Sequence, residues 1–423
     1  MQRNSRKPGE RRTEGETDAM ARPGSSRRHL LRAAAGGGAA LLAGCALPVR
    51  GPAVPRGELT RASVLGLPNE RFFPSYGTEA MSAEVVAAIQ RQQRLLGLAP
   101  DDLPPHMDIL AVSGGGENGA FGAGLLCGWS EAGDRPMFLG VTGVSTGALT
   151  APFAFLGTPY DAQLRAVYTD LEPADVLKPR GLIVGALFSD AMADNSPLYK
   201  TIAGYLTAEM QAAIARGYAE GRLLWIATTD LDAQVPVIWN IGAIAASNHP
   251  RALDTIRRVL LASAAVPGAF PPTMIDVTVN GTAYQEMHVD GGAFAQVFLY
   301  PASLTRLRRE RMRQGKRVPS VEAYVIRNGR LDPDWAAVDR RTLGIAERAI
   351  TTMISVSGQN DVGRIYTTTQ ADGVGYNLAF IGADFTMVLP APFDPGYMRA
   401  LFDYGFQKAR HGYNWAKHPP WLS

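Results

Sequence analysis

Ser145 stands in Gly143-Val144-Ser145-Thr146-Gly147, between the apolar stretch Phe138 to Val141 and the helix-forming stretch Ala148 to Leu156. A serine at the tip of a sharp strand-to-helix turn is a nucleophile held in strain, and a glycine two residues to either side removes side chains that would clash. The helix that follows points free N–H groups at the reacting atoms. Acyl chemistry at such a serine needs two further parts: donors for the negative charge that develops on the substrate, and a base for the hydroxyl proton.

Both parts have candidates. Ser113-Gly114-Gly115-Gly116-Glu117-Asn118-Gly119 follows the apolar run Ile109 to Val112 and leads into a helical stretch. Consecutive glycines line up backbone N–H groups as a nest for a phosphate or an oxyanion. The same letters fit the dinucleotide fingerprint G-x-G-x-x-G. That fingerprint wants an acidic residue at the end of the second strand, some twenty positions on. Asp134 lies instead in the turn Asp134-Arg135-Pro136, before that strand begins, and the strand ends in the serine turn. No dinucleotide and no other cofactor is therefore expected.

Asp290-Gly291-Gly292 ends a later strand. A carboxylate there can accept the serine proton directly, its glycines letting the loop come close, although the same letters suit an ordinary turn. The rival is a Ser-His-Asp triad, for which the chain offers His106, His249, His288, His411 and His418. His411 and His418 lie in a polar C-terminal stretch that reads as solvated. His288, two residues before Asp290, shares that aspartate's strand face and either assists or simply packs.

The elements that must hold these residues alternate. Strand-length apolar runs at Ile109 to Val112 and Phe138 to Val141 are each followed by a helical stretch, to Trp129 and to Leu156, the mark of βαβ units and a mainly parallel sheet. Further helices are predicted over Ala80 to Leu96, Ala162 to Leu171, Pro197 to Arg216 and Arg251 to Ala262. Further strands are predicted over Leu223 to Ala227, Val235 to Trp239, Val321 to Ile326 and Asn377 to Ile381. Ile275 to Val279 and Thr282 to Val289 flank Asn280-Gly281, a dipeptide suited to a type I′ hairpin.

Taken together and in order, these motifs resemble the patatin-like phospholipase family. Its glycine-rich oxyanion motif matches Gly114, Gly115, Gly116 and Gly119, its nucleophile elbow Gly143, Ser145 and Gly147, and its aspartate motif Asp290, Gly291 and Gly292. Ala262-Ser263-Ala264-Ala265-Val266-Pro267-Gly268-Ala269-Phe270-Pro271-Pro272 is similar to the family's small-residue segment between elbow and aspartate. The resemblance is good over 108–293 and fades beyond Asn328. It implies a three-layer α/β/α fold with a central mainly parallel sheet, and a Ser145–Asp290 dyad that hydrolyses acyl esters of lipids without histidine. Amides of Gly114, Gly115 and Gly116 would hold the oxyanion. Asn118 is a departure, because many relatives carry a basic residue there. The alternatives are a lipid-binding envelope lipoprotein that keeps the fold without catalysis, and a histidine-dependent carboxylesterase.

The N-terminus carries an address. Ser26-Arg27-Arg28-His29-Leu30-Leu31-Arg32 has the paired arginines of a twin-arginine signal, followed by the short apolar run Ala33 to Ala43. Leu42-Ala43-Gly44-Cys45 resembles a lipobox, the site at which bacterial lipoproteins are lipidated and cleaved; an internal Ala/Gly helix is the alternative. The expected organisation is a signal peptide over 1–44, with Met1 or Met20 as start, a tether over 45–79 from lipidated Cys45, and one catalytic domain over 80–423. The protein is then an exported lipoprotein held at a membrane surface. No apolar stretch in the body is long enough to span one.

Removing residues 1–44 takes nine Lys/Arg and four Asp/Glu from the chain's 42 and 39, leaving 33 basic and 35 acidic residues. The electrostatic case for nucleic-acid binding goes with them. Cys127 is then without a disulfide partner and reads as a small buried residue. No Cys/His cluster has zinc spacing, so no metal is expected. Arg306, Arg308, Arg309, Arg311, Arg313, Lys316 and Arg317 form a basic run, either a solvated helix or a contact for anionic lipid. Apolar segments around Met353 read as core or as the wall of an acyl channel.

Overall fold

Along the central strand Leu223–Asp230 every residue is buried, and successive side chains enter opposite cores: Leu224 and Ile226 one, Leu223 and Trp225 the other. A strand buried on both faces needs a helical layer on each side. The computed structural model describes residues 50–99, 102–179 and 193–422, which carry such a sheet.

Nine strands build it: β1 Arg71–Phe72, β2 His106–Val112, β3 Gly140–Val144, β4 Leu223–Asp230, β5 Val235–Asn240, β6 Thr273–Val279, β7 Thr282–Asp290, β8 Ser320–Arg327 and β9 Gly375–Phe380. The parallel part runs β4-β3-β2-β8-β9. Antiparallel pairs β4–β5, β5–β1, β4–β7 and β7–β6 extend it.

The helices used below are α1 Glu79–Leu96, α2 Gly119–Ala132, α3 Thr146–Leu156, α4 Asp161–Thr169, α5 Ser196–Tyr205, α6 Ala208–Ala219, α7 Ala252–Ser263, α8 Ala302–Arg313, α9 Thr342–Asp372 and α10 Pro395–Ala409. Buried side chains of α2, α3, α7 and α10 join Leu110, Val112 and Ile226 in the larger core. On the other face α1 covers Leu223 and Trp225, and Val362 and Ile365 of α9 cover Ala111 and Val325. The fold is α/β with a central, mostly parallel sheet, as expected.

Element by element, several sequence expectations shift. The second strand starts at Gly140 rather than Phe138, because Leu139 is still entering the sheet, its N–H donating to Asp108 O at 2.8 Å. Pro197 to Arg216 is two helices, α5 and α6, broken where Thr207 caps the second. The hairpin is as predicted, with Asn280 and Gly281 at φ 49° and 81°.

The tether reading of 45–79 fails over 50–79, which packs onto the sheet. The Glu70 carboxylate accepts N–H bonds from Val64 and Leu65, and Arg71 bonds Glu286 at 2.5 Å. Phe72 stacks edge-on against Trp225. Pro and Gly residues there punctuate a docked strap, not a free linker. The signal peptide 1–44 and Cys45 lie outside the described residues.

Helices α9 and α10 had no sequence expectation. Met353, read as core or channel wall, is 69% exposed on α9. Cys127 is buried, as expected.

Candidate active site

Ser145 lies where β3 passes into α3 at φ 56°, ψ −128°, a backbone conformation rare for a residue with a side chain. The turn is as tight as the flanking glycines suggested. A Cβ on Gly143 would lie 2.6 Å from Gly147 O, and one on Gly147 would lie 2.3 Å from Val112 O.

What brings Asp290 to the serine is sheet register. One edge of β4 is taken along Trp225–Asp230 by β5, so β3 and β7 must share the other. β3 pairs parallel with it as far as Val144 opposite Ala227, and β7 pairs antiparallel with Asp290 opposite Thr228. The residue after one ladder and the last residue of the other thus meet at adjacent positions of one strand. Ser263 fills the junction: its Oγ donates to Ala227 O at 2.7 Å and accepts the Ser145 N–H at 3.0 Å. Ala265 O accepts the Asp290 N–H. The small-residue segment is therefore the bracket between nucleophile and carboxylate.

Asp290 Oδ1 accepts the Gly292 N–H at 2.6 Å, while Oδ2 is buried with no hydrogen bond of regular geometry. Ser145 faces this carboxyl closely enough to draw its pKa down, as does the Gly292 N–H, but burial outweighs both and pushes it up to about 7. A carboxylate titrating there is matched to general-base work near neutrality.

The glycine loop packs on the nucleophile, since a Cβ on Gly114 would lie 3.1 Å from Ser145 Cβ. Of the three glycines expected to offer oxyanion amides, one has its N–H engaged in the fold. Gly114 N–H already donates to Gln296 O at 3.0 Å, whereas no acceptor among the described residues engages the N–H groups of Gly115 and Gly116. Gln296 also donates from Nε2 to Gly292 O at 2.9 Å, tying the loop to the aspartate turn. Gly119 opens α2. Gly291 lets the aspartate turn lie on β4, where a Cβ would meet Ala227 O at 2.5 Å.

Sequence reading missed the support behind this loop. Arg327, 4% exposed at the end of β8, donates from Nη1 to Gly114 O at 3.0 Å and to Ser113 Oγ at 3.2 Å. Burial lowers its pKa to about 10, so it stays charged at neutral pH, with Asp361 of α9 the carboxylate that favours the charge. Asn328 donates its N–H to Ser113 Oγ and its Nδ2 to Ser113 O, and accepts the Gly122 N–H. The sequence signal was that Arg327-Asn328 follow directly on the strand predicted over Val321 to Ile326. Asn118 itself accepts the Tyr397 hydroxyl at 2.8 Å.

His288 is fully buried, with Nδ1 on Thr228 Oγ1 at 2.9 Å and Nε2 on Glu286 Oε2 at 3.0 Å. Neither nitrogen is left for a serine proton. Among the described residues no histidine is hydrogen-bonded to Ser145 or Asp290, and His411 and His418 are exposed. Asp230, Glu286 and His288 bring ligand-type atoms within 4.8 Å of one another. A cation already sits there: Arg71 donates two bonds to Glu286, and although burial opposes it, Arg71 and then His288 hold that carboxyl down at about 2.

A serine on a strained strand-to-helix turn, with a buried carboxylate beside it and free loop amides in front, is the site of an α/β protein with a nucleophile elbow. Residues 110–303 match the family model described as patatin-like phospholipase, and the chain carries a patatin-like phospholipase domain. No curated protein matches the chain. Similar solved structures include VipD from Legionella pneumophila, 11% identical with a TM-score of 0.35 over 73% of this chain and 66% of that one. Human GIVD cytosolic phospholipase A2 is 13% identical, with a TM-score of 0.27 over 78% of this chain and 54% of that one. The type III effector protein ExoU is 14% identical, with a TM-score of 0.23 over 73% and 54%. The chain thus spans between about half and two thirds of these proteins' length.

Proposed function

We propose that the protein is a serine acyl hydrolase of lipid esters working through a Ser145–Asp290 dyad. The observation that carries this reading is the unengaged Asp290 Oδ2 beside Ser145, in a carboxyl whose pKa burial raises to about 7. Asp290 takes the Ser145 proton as Oγ attacks the ester carbonyl. The oxyanion is held by the N–H groups of Gly115 and Gly116, and Asp290 returns the proton to the departing alcohol. Water, activated by the same carboxylate, then releases the fatty acid and restores the serine.

A lipid substrate is supported by α9. This helix runs antiparallel to the strands, with Asp361 level with the site through its bond to the Gln296 N–H. Residues 342–357 extend beyond it by about 24 Å at 1.5 Å per residue. Residues 349–358 carry no charge, and Ile350, Met353, Ile354 and Val356 are exposed on this segment. The Thr352 hydroxyl is satisfied within the helix, by Arg348 O. An uncharged, exposed apolar helix beside the site suits a lipid surface. By the same reading the chain is exported and anchored through lipidated Cys45, which mass spectrometry of the N-terminus tests: an unmodified chain starting at Met1 or Met20 refutes it.

The decisive experiment incubates the purified protein and its Ser145→Ala form with a mixed lipid extract. Acyl lipids should disappear, and free fatty acid appear, only with the unaltered protein. A fluorophosphonate probe should label it and not the variant. Absence of labelling would leave the fold a lipid-binding scaffold.

A further inference from the structure

A cavity of about 300 Å³ lies between α1 and α8, against the sheet face away from the larger core. Its floor is formed by the first residues of parallel strands: Met107 and Ile109 of β2, Gly140 and Val141 of β3, Leu223 and Trp225 of β4. Ser145 follows the last residue of β3, so the cavity lies at the opposite end of the strands. It is not part of the elbow site, and it is not at the carboxyl ends where open α/β sheets usually bind ligands.

Its walls are apolar, with Val85 and Ile89 from α1 and Leu304 from α8, and its rim is cationic. The rim comes from the basic run that the proposed catalysis does not use. Arg308 and Arg311 both line the cavity. Arg308 is fixed by its Nε on Asp372 O and its Nη1 on Pro319 O. Among the described residues Arg311 Nε is buried without a hydrogen-bond partner, and the guanidinium has only a 3.5 Å contact to Arg317 O. Among the described residues the one carboxylate in the lining, Asp372, is already engaged by Arg309, Tyr300 and Thr305.

A buried donor without an acceptor costs about 1–3 kcal/mol, so Arg311 Nε at the rim of an apolar cavity points to an acceptor-bearing occupant. At about 300 Å³ the space is at the small end of ligand pockets, with room for one acyl chain and not two. Uncompensated positive charge at the rim selects an anionic head. We propose that this cavity binds a long-chain fatty acid, its chain among the apolar side chains and its carboxylate on the Arg311 guanidinium. The binding does not rest on the catalytic reading; if that reading holds, the ligand is also the reaction's product.

The test is titration of the purified protein with cis-parinaric acid, whose fluorescence rises in apolar surroundings, followed by displacement with saturated fatty acids. One saturable site is expected, with affinity rising about fourfold per methylene until the cavity is full. Arg311→Gln should weaken laurate about tenfold and leave dodecanol unchanged. Val86→Trp, on the exposed face of α1 at the rim, should block both with no change in melting temperature. Ser145→Ala should bind like the unaltered protein, which separates this cavity from the elbow site. Laurate binding that Arg311→Gln and Val86→Trp leave intact would overturn the proposal. So would binding seen only with phosphatidylglycerol vesicles, which would assign the rim to a bilayer surface.

Discussion

The guanidinium of Arg327 donates to the carbonyl of Gly114 at 3.0 Å from beneath the glycine loop. This bond fixes the peptide between Gly114 and Gly115, whose N–H points away from the guanidinium because the peptide is trans. It also puts a buried positive charge behind the place where negative charge would develop.

Arg327→Met should lower kcat on a soluble ester by 10-fold or more with little change in KM, because the loss falls on oxyanion stabilisation. Arg327→Lys should recover part of it. Arg327→Met also removes one of the two donors at Gly114 O and at Ser113 Oγ, which keep the Ser113 hydroxyl and the Asn328 N–H, costing about 1.5–3 kcal/mol, the worth of a hydrogen bond to a charged group. A loss of stability without a loss in kcat would make Arg327 structural only.

Ser145→Ala and Asp290→Asn should each abolish ester hydrolysis with the fold intact, as read by circular dichroism. Ser145→Gly should do so while raising stability by about 1 kcal/mol, since φ 56° with ψ −128° strains any residue with a Cβ. Wild-type turnover in either of the first two variants would remove the dyad.

Activity should rise with pH through about 7 as Asp290 loses its proton. Stability should run the other way. A carboxyl whose folded pKa lies above its unfolded value favours the folded state at low pH, and that contribution disappears as pH climbs from about 4 to about 7. Asp290→Asn should therefore gain on the unaltered protein by a few kcal/mol between pH 4 and pH 8. Urea midpoints at the two pH values read the difference, and parallel curves would show that Asp290 titrates normally.

Met353→Asp on the free part of α9 should cut hydrolysis of vesicle lipid several-fold while leaving a soluble short-chain ester and the melting temperature unchanged. Equal loss on both substrates would place the residue's effect inside the fold.

Much of the site was legible because its parts are local. Glycines at 143 and 147 and the run 114–116 state how close the backbone must come to itself, and that requirement is visible in the letters. The strands and the Asn280-Gly281 hairpin were legible from strand-length apolar runs and turn chemistry. Helix α9 was not, because its first half has no core to face and so no apolar period to read. The strap over 50–79 was misread because Arg71 and Phe72 anchor it through Glu286 and Trp225, partners far away in sequence.

The sequence by itself singled out Ser145, the glycine run and Asp290 as candidates and gave their order, since each stands in a short turn motif readable from its neighbours. Only the tertiary structure decided how they combine. That β3 and β7 share one edge of β4 brings Ser145 to Asp290; that Gln296 engages Gly114 leaves Gly115 and Gly116 as donors; and that β8 lies beside β2 puts Arg327 beneath them. These are choices of pairing and register between distant segments, set by burying both faces of one sheet, and no single stretch of the chain encodes them.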